Sequence, residues 1–455
     1  MRARILPATA IGGVASVPGD KSIAHRWLML AATAAGRSRL ANLPPALDVA
    51  STARCLAALT VKAQPPLEAW AGNVARGGES HGFTWDGRVA DGLPEEVEVE
   101  GDGRLGLSQP ERDLDCGNSG TTMRLLAGLV SPVEATFSLT GDASLRSRPM
   151  ERVAAPLRAM GAVVDTTDGT APVRIVGGPL RGIEYETPVP SAQVKSAVLL
   201  AATAAKGVTV VREAAPTRDH TERALAALGA PIASDGARIR LGPFQHPGFD
   251  GVVPGDASSA AYLLAGAALT GGHVRIDGVG VNPSRTAFVA VMRRMGVDVS
   301  IRLLEERVGE PVGQIEARRG GGLTGTVVEA DELPLIVDEV PVLASLAVHA
   351  RGETWFAGAG ELRVKESDRL SAVVSLVRGL GGEAAVEGED LIVVGGGLPG
   401  GRAVSRGDHR IAMAATVAAL AAAGPSEIEG IDDAGVSFPG FTSTLAALGA
   451  EIEVA

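Results

Sequence analysis

The chain has 455 residues, 45% of them hydrophobic but only 3% aromatic, so it is long enough for two domains, or three, whose cores are packed from Ala, Val and Leu. Its net charge of −11 excludes general nucleic-acid or membrane-surface binding, and any anionic ligand must be held by a local cation cluster acting against the overall field. Two cysteines, Cys55 and Cys116, supply neither a disulfide framework nor a four-ligand zinc site; the N-terminus has no charged-then-apolar signal pattern, and the longest apolar run, 411–424, is too short to cross a bilayer, so a cytoplasmic protein is expected.

In chain order, Val17-Pro18-Gly19-Asp20-Lys21-Ser22 opens a helix over 23–35 that is apolar around almost its whole circumference, as a helix buried on all sides must be. The residues around 56–60 read as a helix end with Thr60 in a capping position. The stretch 61–114, rich in Gly, Pro and Glu, reads as strands with an elaborated surface hairpin. Gly117-Asn118-Ser119-Gly120 then opens a second buried helix over 121–130, and Ser191-Ala192-Gln193 a third over 194–205. Val253-Pro254-Gly255-Asp256 repeats the first opening and leads into 260–269; Asp338-Glu339 leads into 340–350, and Gly407-Asp408-His409-Arg410 into 411–423.

Between these run short amphipathic helices that end in a hydrophobic–glycine–hydrophobic step, at Gly161, Gly229, Gly296, Gly381 and Gly449. Such a glycine reads as a left-handed helix C-cap, and the turns Asp168-Gly169 and Asp235-Gly236 follow in the strands beyond. The result is one unit written six times, Thr60 marking its degenerate copy. At roughly 65 to 100 residues the unit is too long for a solenoid, which leaves two domains of three units each.

The helix openings carry the chemistry. Lys21 and Ser22 with free amides make a phosphate cradle, and Arg26 lies one turn further on the same face. For that loop alone, a hydroxyl cap with an incidental lysine is the plainer explanation. Gly120 lets a ligand approach the backbone, Arg148 enters a helix before a proline, and Ser191, Ala192 and Gln193 offer hydroxyl, amide and carboxamide to a polyol. Arg218 and Arg410 stand at further helix entries. The densest stretch is 363–369, R-V-K-E-S-D-R, between a strand over 354–360 and a helix beginning near Leu370. It spends Lys365, one of five lysines in the chain, beside Glu366 and Arg369. Most charge runs are solvated faces; here the position at a helix start and the recurrence of cations in both halves favour an anion site. Asp338 reads first as a complement to a helix dipole and, in a cleft lined by cations, as a general base. His409 reads as a structural histidine and Cys116 as a small buried residue.

With PGDKSIAHR (18–26), GNSGTTMR (117–124), GDASLRSRPMERV (141–153), SAQVKSAVLLA (191–201), TRDHTE (217–222), RVKESDRL (363–370) and DHRIAM (408–413), the chain resembles the enolpyruvyl transferases over nearly its whole length. The resemblance implies two inside-out α/β domains, each of three βαβαββ repeats, with buried helices pointing their N-termini at the cleft between them. It divides the chain into 21–253 and 1–20 plus 254–455. It implies transfer of the enolpyruvyl group of phosphoenolpyruvate to the 5-hydroxyl of shikimate 3-phosphate through a tetrahedral intermediate, as a monomer, with no metal or organic cofactor, and inhibition by glyphosate. Carried over by motif, Lys21, Ser22, Arg26, Ser191, Ala192, Gln193, Arg218, Asp338 and Lys365 would contact shikimate 3-phosphate. Lys21, Gly120, Arg148, Gln193, Arg369 and Arg410 would contact phosphoenolpyruvate. Asp338 would take the hydroxyl proton, Glu366 would handle the methylene proton, and Lys21 would serve both substrates. A sister activity on UDP-N-acetylglucosamine uses a cysteine in a mobile loop, whereas Cys116 adjoins the glycine loop. A non-catalytic phosphate binder is the other alternative, against which both acids stand. The chain departs from the family where some members have a lysine two residues before the last Phe-Pro, since Val436 and Ser437 precede Phe438, and where Glu361 replaces an asparagine.

Overall fold

In the computed structural model, which describes residues 1–79 and 96–454, the six apolar stretches are helices: Lys21–Thr33, Gly120–Val130, Ala192–Ala202, Ala257–Thr270, Val340–Ala347 and His409–Ala419. Five of them begin at a side chain that accepts an orphan amide hydrogen. Asp20 caps Ile23, Ser119 caps Thr122, Ser191 caps Val194, Asp256 caps Ser258 and Asp408 caps Arg410. The exception is Val340–Ala347, whose cap residue Glu339 makes no such bond. A short helix, Leu333–Ile336, precedes it and leaves Asp338 in the intervening turn.

Among the described residues the strands form six four-stranded sheets. Leu114–Asp115 and Thr136–Thr140 show the pattern: they pair in parallel on either side of the buried helix Gly120–Val130, and the antiparallel strands Thr170–Val176 and Val163–Thr167 complete the sheet. Each unit therefore buries its helix on the inside and leaves its sheet outside, the inside-out arrangement expected. The expected caps at Gly161, Gly229, Gly296, Gly381 and Gly449 have φ between 86° and 117°, and Thr60 adopts the same left-handed region at 67° despite its β-branch.

Two hydrophobic cores result. One is drawn from buried residues between Ile23 and Val253, the other from Ala3–Val17 together with residues from Ala257 to Ala450. Helices within a core approach closely: a Cβ on Gly128 would stand 2.1 Å from the Ala197 carbonyl oxygen, so Gly120–Val130 and Ala192–Ala202 touch backbone to backbone there. The chain passes between the cores twice, and the two passages are bonded to each other. Asp20 N–H donates to Pro254 O at 2.7 Å and Asp256 N–H to Pro18 O at 2.8 Å. The repeated Val-Pro-Gly-Asp is thus a paired crossover.

Two expectations need correction. The stretch 61–114 is not only strands: the helix Leu67–Glu79 lies between strands Lys62–Gln64 and Glu96–Asp102. Leu67, Trp70, Ala71 and Val74 are buried at helical spacing, a periodicity that outweighs the glycines nearby; the part of the expected hairpin at 80–95 lies outside the described residues. The strand expected over 354–360 is Glu353–Phe356, followed by a 3₁₀ turn, Ala359–Val364, so Lys365–Asp368 form a loop and the helix starts at Arg369. Among the described residues no helix is long and apolar enough to cross a membrane.

Candidate active site

On the second core, the helix starts Arg369–Gly379 and His409–Ala419 face the turn that holds Asp338. Arg369 is fully buried; its guanidinium donates to Asp408 Oδ2 through Nε at 2.9 Å and to Asp338 Oδ1 at 3.2 Å, and forms an ion pair with Glu366 Oε2 at 2.5 Å. Arg410 donates to the Asp338 carbonyl at 3.0 Å and approaches its carboxylate at 3.5 Å. From the other core, Arg218 reaches Asp338 Oδ2 at 2.7 Å. Burial pushes the Asp338 carboxyl up, but Arg410, Arg218, Arg369 and Lys365 together hold it well below the usual carboxylate range. Glu366 is likewise raised by burial and lowered further by Arg369, with His409 and Lys21 adding to the pull. Both acids are therefore ionised at rest.

On the first core, Lys21 opens its helix and pairs with Asp48 at 2.8 Å. Gly120 opens the next helix. A Cβ there would lie 3.3 Å from an Arg124 nitrogen and 3.4 Å from an Arg148 nitrogen, so two guanidinium groups border the bare glycine. Arg148 is held by Asn118 and by Ser144 at 3.2 Å. Arg124 donates to Gln193 Oε1 at 2.5 Å and to Pro149 O at 3.2 Å, while Gln193 Nε2 donates to Thr121 at 2.9 Å. Burial takes the Arg124 pKa down to about 10, and Arg152 and Arg148 push the same way. A site that crowds cations against desolvated helix starts is primed to accept anions.

Arg26 is buried beneath this layer, donating to Thr221 at 2.9 Å, Ser196 at 2.8 Å and Ser22 O at 2.8 Å; burial lowers its pKa to about 10. Those bonds occupy three of five donor hydrogens, leaving capacity for a ligand. Ser191 spends its hydroxyl capping its own helix, with Ala192 as the first helical residue. Lys365 lies 3.7 Å from Glu361, which also meets Arg152 at 3.4 Å, a second link between the cores. Arg363 turns outward to Asp368, apart from the site.

The structure thus gathers Asp338, Glu366, Arg369, Arg410 and Arg218 into one cluster, and Gly120, Arg148 and Gln193 into another. Lys21 acts electrostatically on Glu366 and His409 across the gap. Sequence reasoning passed over Asp48, Arg124 and Glu339. Arg124 was findable, one helical turn after Gly120; Asp48 was not, because only the tertiary fold brings it to Lys21. Among the described residues no group of three or more His, Cys, Asp or Glu side chains could hold a metal ion.

A family profile described as EPSP synthase (3-phosphoshikimate 1-carboxyvinyltransferase) matches residues 6–70 and 89–445. A 3-phosphoshikimate 1-carboxyvinyltransferase of Thermus thermophilus is 47% identical over 450 residues, covering 97% of each chain. One from Halorhodospira halophila is 45% identical over 456 residues, covering 99% of this chain and 97% of its own. The solved EPSP synthase of Acinetobacter baumannii superposes with a TM-score of 0.83 at 38% identity over 100% of both chains.

Behind the helix starts of the first core runs a buried hydroxyl relay. His25 Nδ1 meets Thr52 Oγ1 at 2.7 Å, Thr52 meets Thr122 at 2.7 Å, and Thr122 donates to Ser119 at 2.8 Å, tying the Lys21 helix to the glycine loop. His25 Nε2 has no hydrogen-bond partner. Burial, opposed by Asp48 and aided by Lys21 and Arg26, brings the His25 pKa down to about 3. A neutral His25 stabilises the fold fully above the unfolded pKa of about 6.5, and that stability is lost as pH falls toward 3. Between pH 6 and 4, unfolding free energy from urea titrations should fall less steeply for His25→Asn than for wild type, by about 1.4 kcal/mol per pH unit. Parallel slopes would show that His25 accepts its proton in the folded state.

Proposed function

The chain belongs to the EPSP synthase family, and from that premise we propose that Asp338, Glu366 and Lys21 carry out its chemistry. The reaction transfers the enolpyruvyl group of phosphoenolpyruvate to the 5-hydroxyl of shikimate 3-phosphate and releases phosphate, within the shikimate pathway. Each substrate brings a phosphate and a carboxylate, which is why an acidic chain concentrates arginine at its helix starts. The observation that carries the assignment is Asp338 gripped by Arg218 from one core and by Arg369 and Arg410 from the other.

Shikimate 3-phosphate engages Lys21, Ser22, Arg26, Ser191, Ala192, Gln193, Arg218 and Lys365; phosphoenolpyruvate engages Lys21, Gly120, Arg148, Gln193, Arg369 and Arg410. Arg124, beside Gly120, adds a cation to the second set. As these anions draw Arg218 and Arg369 toward themselves, Asp338 and Glu366 lose part of the charge that holds their pKa values down, and both become better proton acceptors. Asp338 then takes the 5-hydroxyl proton as that oxygen bonds the central enolpyruvyl carbon. Glu366, once its arginine pairing is loosened, takes up a proton from solvent and delivers it to the methylene carbon, closing the tetrahedral intermediate. Elimination reverses the carbon protonation: Glu366 recovers a proton from the methyl group and returns it to solvent as the carbon–oxygen bond to phosphate breaks, and the proton held by Asp338 passes through solvent to the departing phosphate, with Lys21 beside its charge.

Cys116 does not support the UDP-N-acetylglucosamine alternative. It is fully buried, and burial raises its thiol pKa well above the usual value, which suits packing and not acid catalysis in a loop. The same reading divides the chain into domains 21–253 and 1–20 plus 254–455, closing on the acceptor as a cytoplasmic monomer. The two cores and the split of cations between them support the division into two domains.

A phosphate-release assay should respond to shikimate 3-phosphate and not to UDP-N-acetylglucosamine. Asp338→Asn and Lys365→Ala should each lower turnover about 100-fold or more while thermal midpoints stay close to wild type; a lost fold with normal specific turnover would make these residues structural. In small-angle scattering, shikimate 3-phosphate should shrink the radius of gyration. An unchanged radius would rule out ligand-driven closure and leave the Arg218–Asp338 and Arg152–Glu361 pairs holding a cleft already shut. Gly120→Ala tests the phosphoenolpyruvate side. Its methyl group would press on Arg124 and Arg148, and the longer glyphosate should suffer most, its inhibition constant rising about tenfold or more against a smaller rise in the phosphoenolpyruvate KM. Equal inhibition constants for the two proteins would remove Gly120 from the pocket.

A further inference from the structure

Arg285, in the helix Pro283–Arg294, is buried where the two crossovers meet. Its guanidinium donates to Asp20 Oδ2 at 3.2 Å, to Asp256 Oδ1 at 2.7 Å and to Ser258 at 2.9 Å, and a third carboxylate, Glu339, lies 3.9 Å away. Asp20 and Asp256 cap the helices that begin each side of the crossover pair. Glu339 spends Oε1 on Ser258, the oxygen that also faces Arg285, and has no hydrogen bond to Oε2, which lies 4.0 Å from Arg218.

The chain neighbours of these carboxylates matter. Asp20 immediately precedes Lys21, and Glu339 immediately follows Asp338. One guanidinium therefore grips the residues adjoining two proposed catalytic groups that belong to opposite cores. We infer that Arg285 is a positioning residue, which sets the distance between Lys21 and Asp338 and keeps Glu339 from competing with Asp338 for Arg218.

The competition follows from charge balance. Three buried carboxylates share Arg285, and an uncompensated buried carboxylate seeks the nearest cation. Without Arg285, Glu339 would draw Arg218 the short way from its 2.7 Å contact with Asp338. His220 also faces Asp20, but it is already bonded to Glu310 at 2.7 Å. Lysine substitutes only in part: Nη2 alone meets Asp20, Asp256 and Ser258, but a point ammonium lacks the further nitrogens that give Asp20 a second bond from Nε at 3.3 Å and place Nη1 3.9 Å from Glu339.

The inference rests on the assignment of Lys21 and Asp338 made above, so Asp338→Asn is assayed alongside. Retention of turnover by that variant would remove the assignment, and with it this proposal, whatever Arg285 does. With the assignment standing, Arg285→Met should lower kcat per folded molecule about tenfold or more and raise the KM for shikimate 3-phosphate, leaving the phosphoenolpyruvate KM within about twofold. Adding Glu339→Gln should restore kcat to within a few-fold of wild type, because the competing charge is gone. Arg285→Lys should show the same split in weaker form, and it decides the matter if Arg285→Met does not accumulate as folded protein. A lowered thermal midpoint with unchanged kcat and KM per folded molecule would reduce Arg285 to a structural role. Failure of Glu339→Gln to restore turnover would overturn the competition.

Discussion

A carboxylate taken out of water stays ionised only where cations and hydrogen bonds replace its hydration. Asp338 meets that condition through arginines contributed by three separate segments, and so fixes where Arg218, Arg369 and Arg410 must lie. Arg369 repeats the logic from the cation's side, since it is wholly buried against Asp338, Glu366 and Asp408. A planar fork can meet several oxygens at once, whereas an ammonium cannot, which accounts for a cleft written almost wholly in arginine. Helix starts supply the remainder of the positive field with backbone amides.

Much of this was legible in the chain. Apolar runs with Ser, Asp or Gly at their openings announced the buried helices, and glycines after amphipathic runs announced their caps, because capping and periodicity are local properties. The six-fold recurrence foreshadowed six sheets. The loops that carry Lys21, Gly120, Arg148, Asp338 and Lys365 were visible for the same reason. What stayed hidden was pairing across distance. Arg285 and Asp20 stand 265 residues apart, and no local pattern joins them. Asp48 is a first-turn acid of the helix Leu47–Ala58, and only the fold sets it against Lys21. The helix Leu67–Glu79 was legible in Leu67, Trp70, Ala71 and Val74, but glycines and prolines around it carried more weight than they should have.

The two cores differ from the boundary between them. Within the cores the contacts are mainly apolar, and at Gly128 two helices meet at backbone distance. Between them the contacts are polar: Arg218 with Asp338, Arg152 with Glu361, His220 with Glu310 at 2.7 Å, and Arg223 with Gly309 O at 3.4 Å. Charged contacts at a boundary exchange readily with water and with anionic ligands, so such a boundary resists separation far less than an apolar one does. The same groups that join the halves are the ones a phosphate or carboxylate would engage.

The strand Arg2–Ile5 lies between Ser426–Glu429 and Ile452–Val454, hydrogen-bonded to both. A ribosome therefore delivers the middle strand of that sheet first and its two neighbours last. The buried residues of the first core, Ile23 to Val253, can gather while synthesis continues, with Val308 packing against them later. The other core cannot. Its opening strand waits through almost the entire time of translation, at about 5–20 residues per second, before any partner exists. During that interval the leading segment is held first by the paired crossovers, once Pro254 and Asp256 have emerged to bond Asp20 and Pro18, and then by the pairing of Gly13–Ala15 with the strand His273–Gly280.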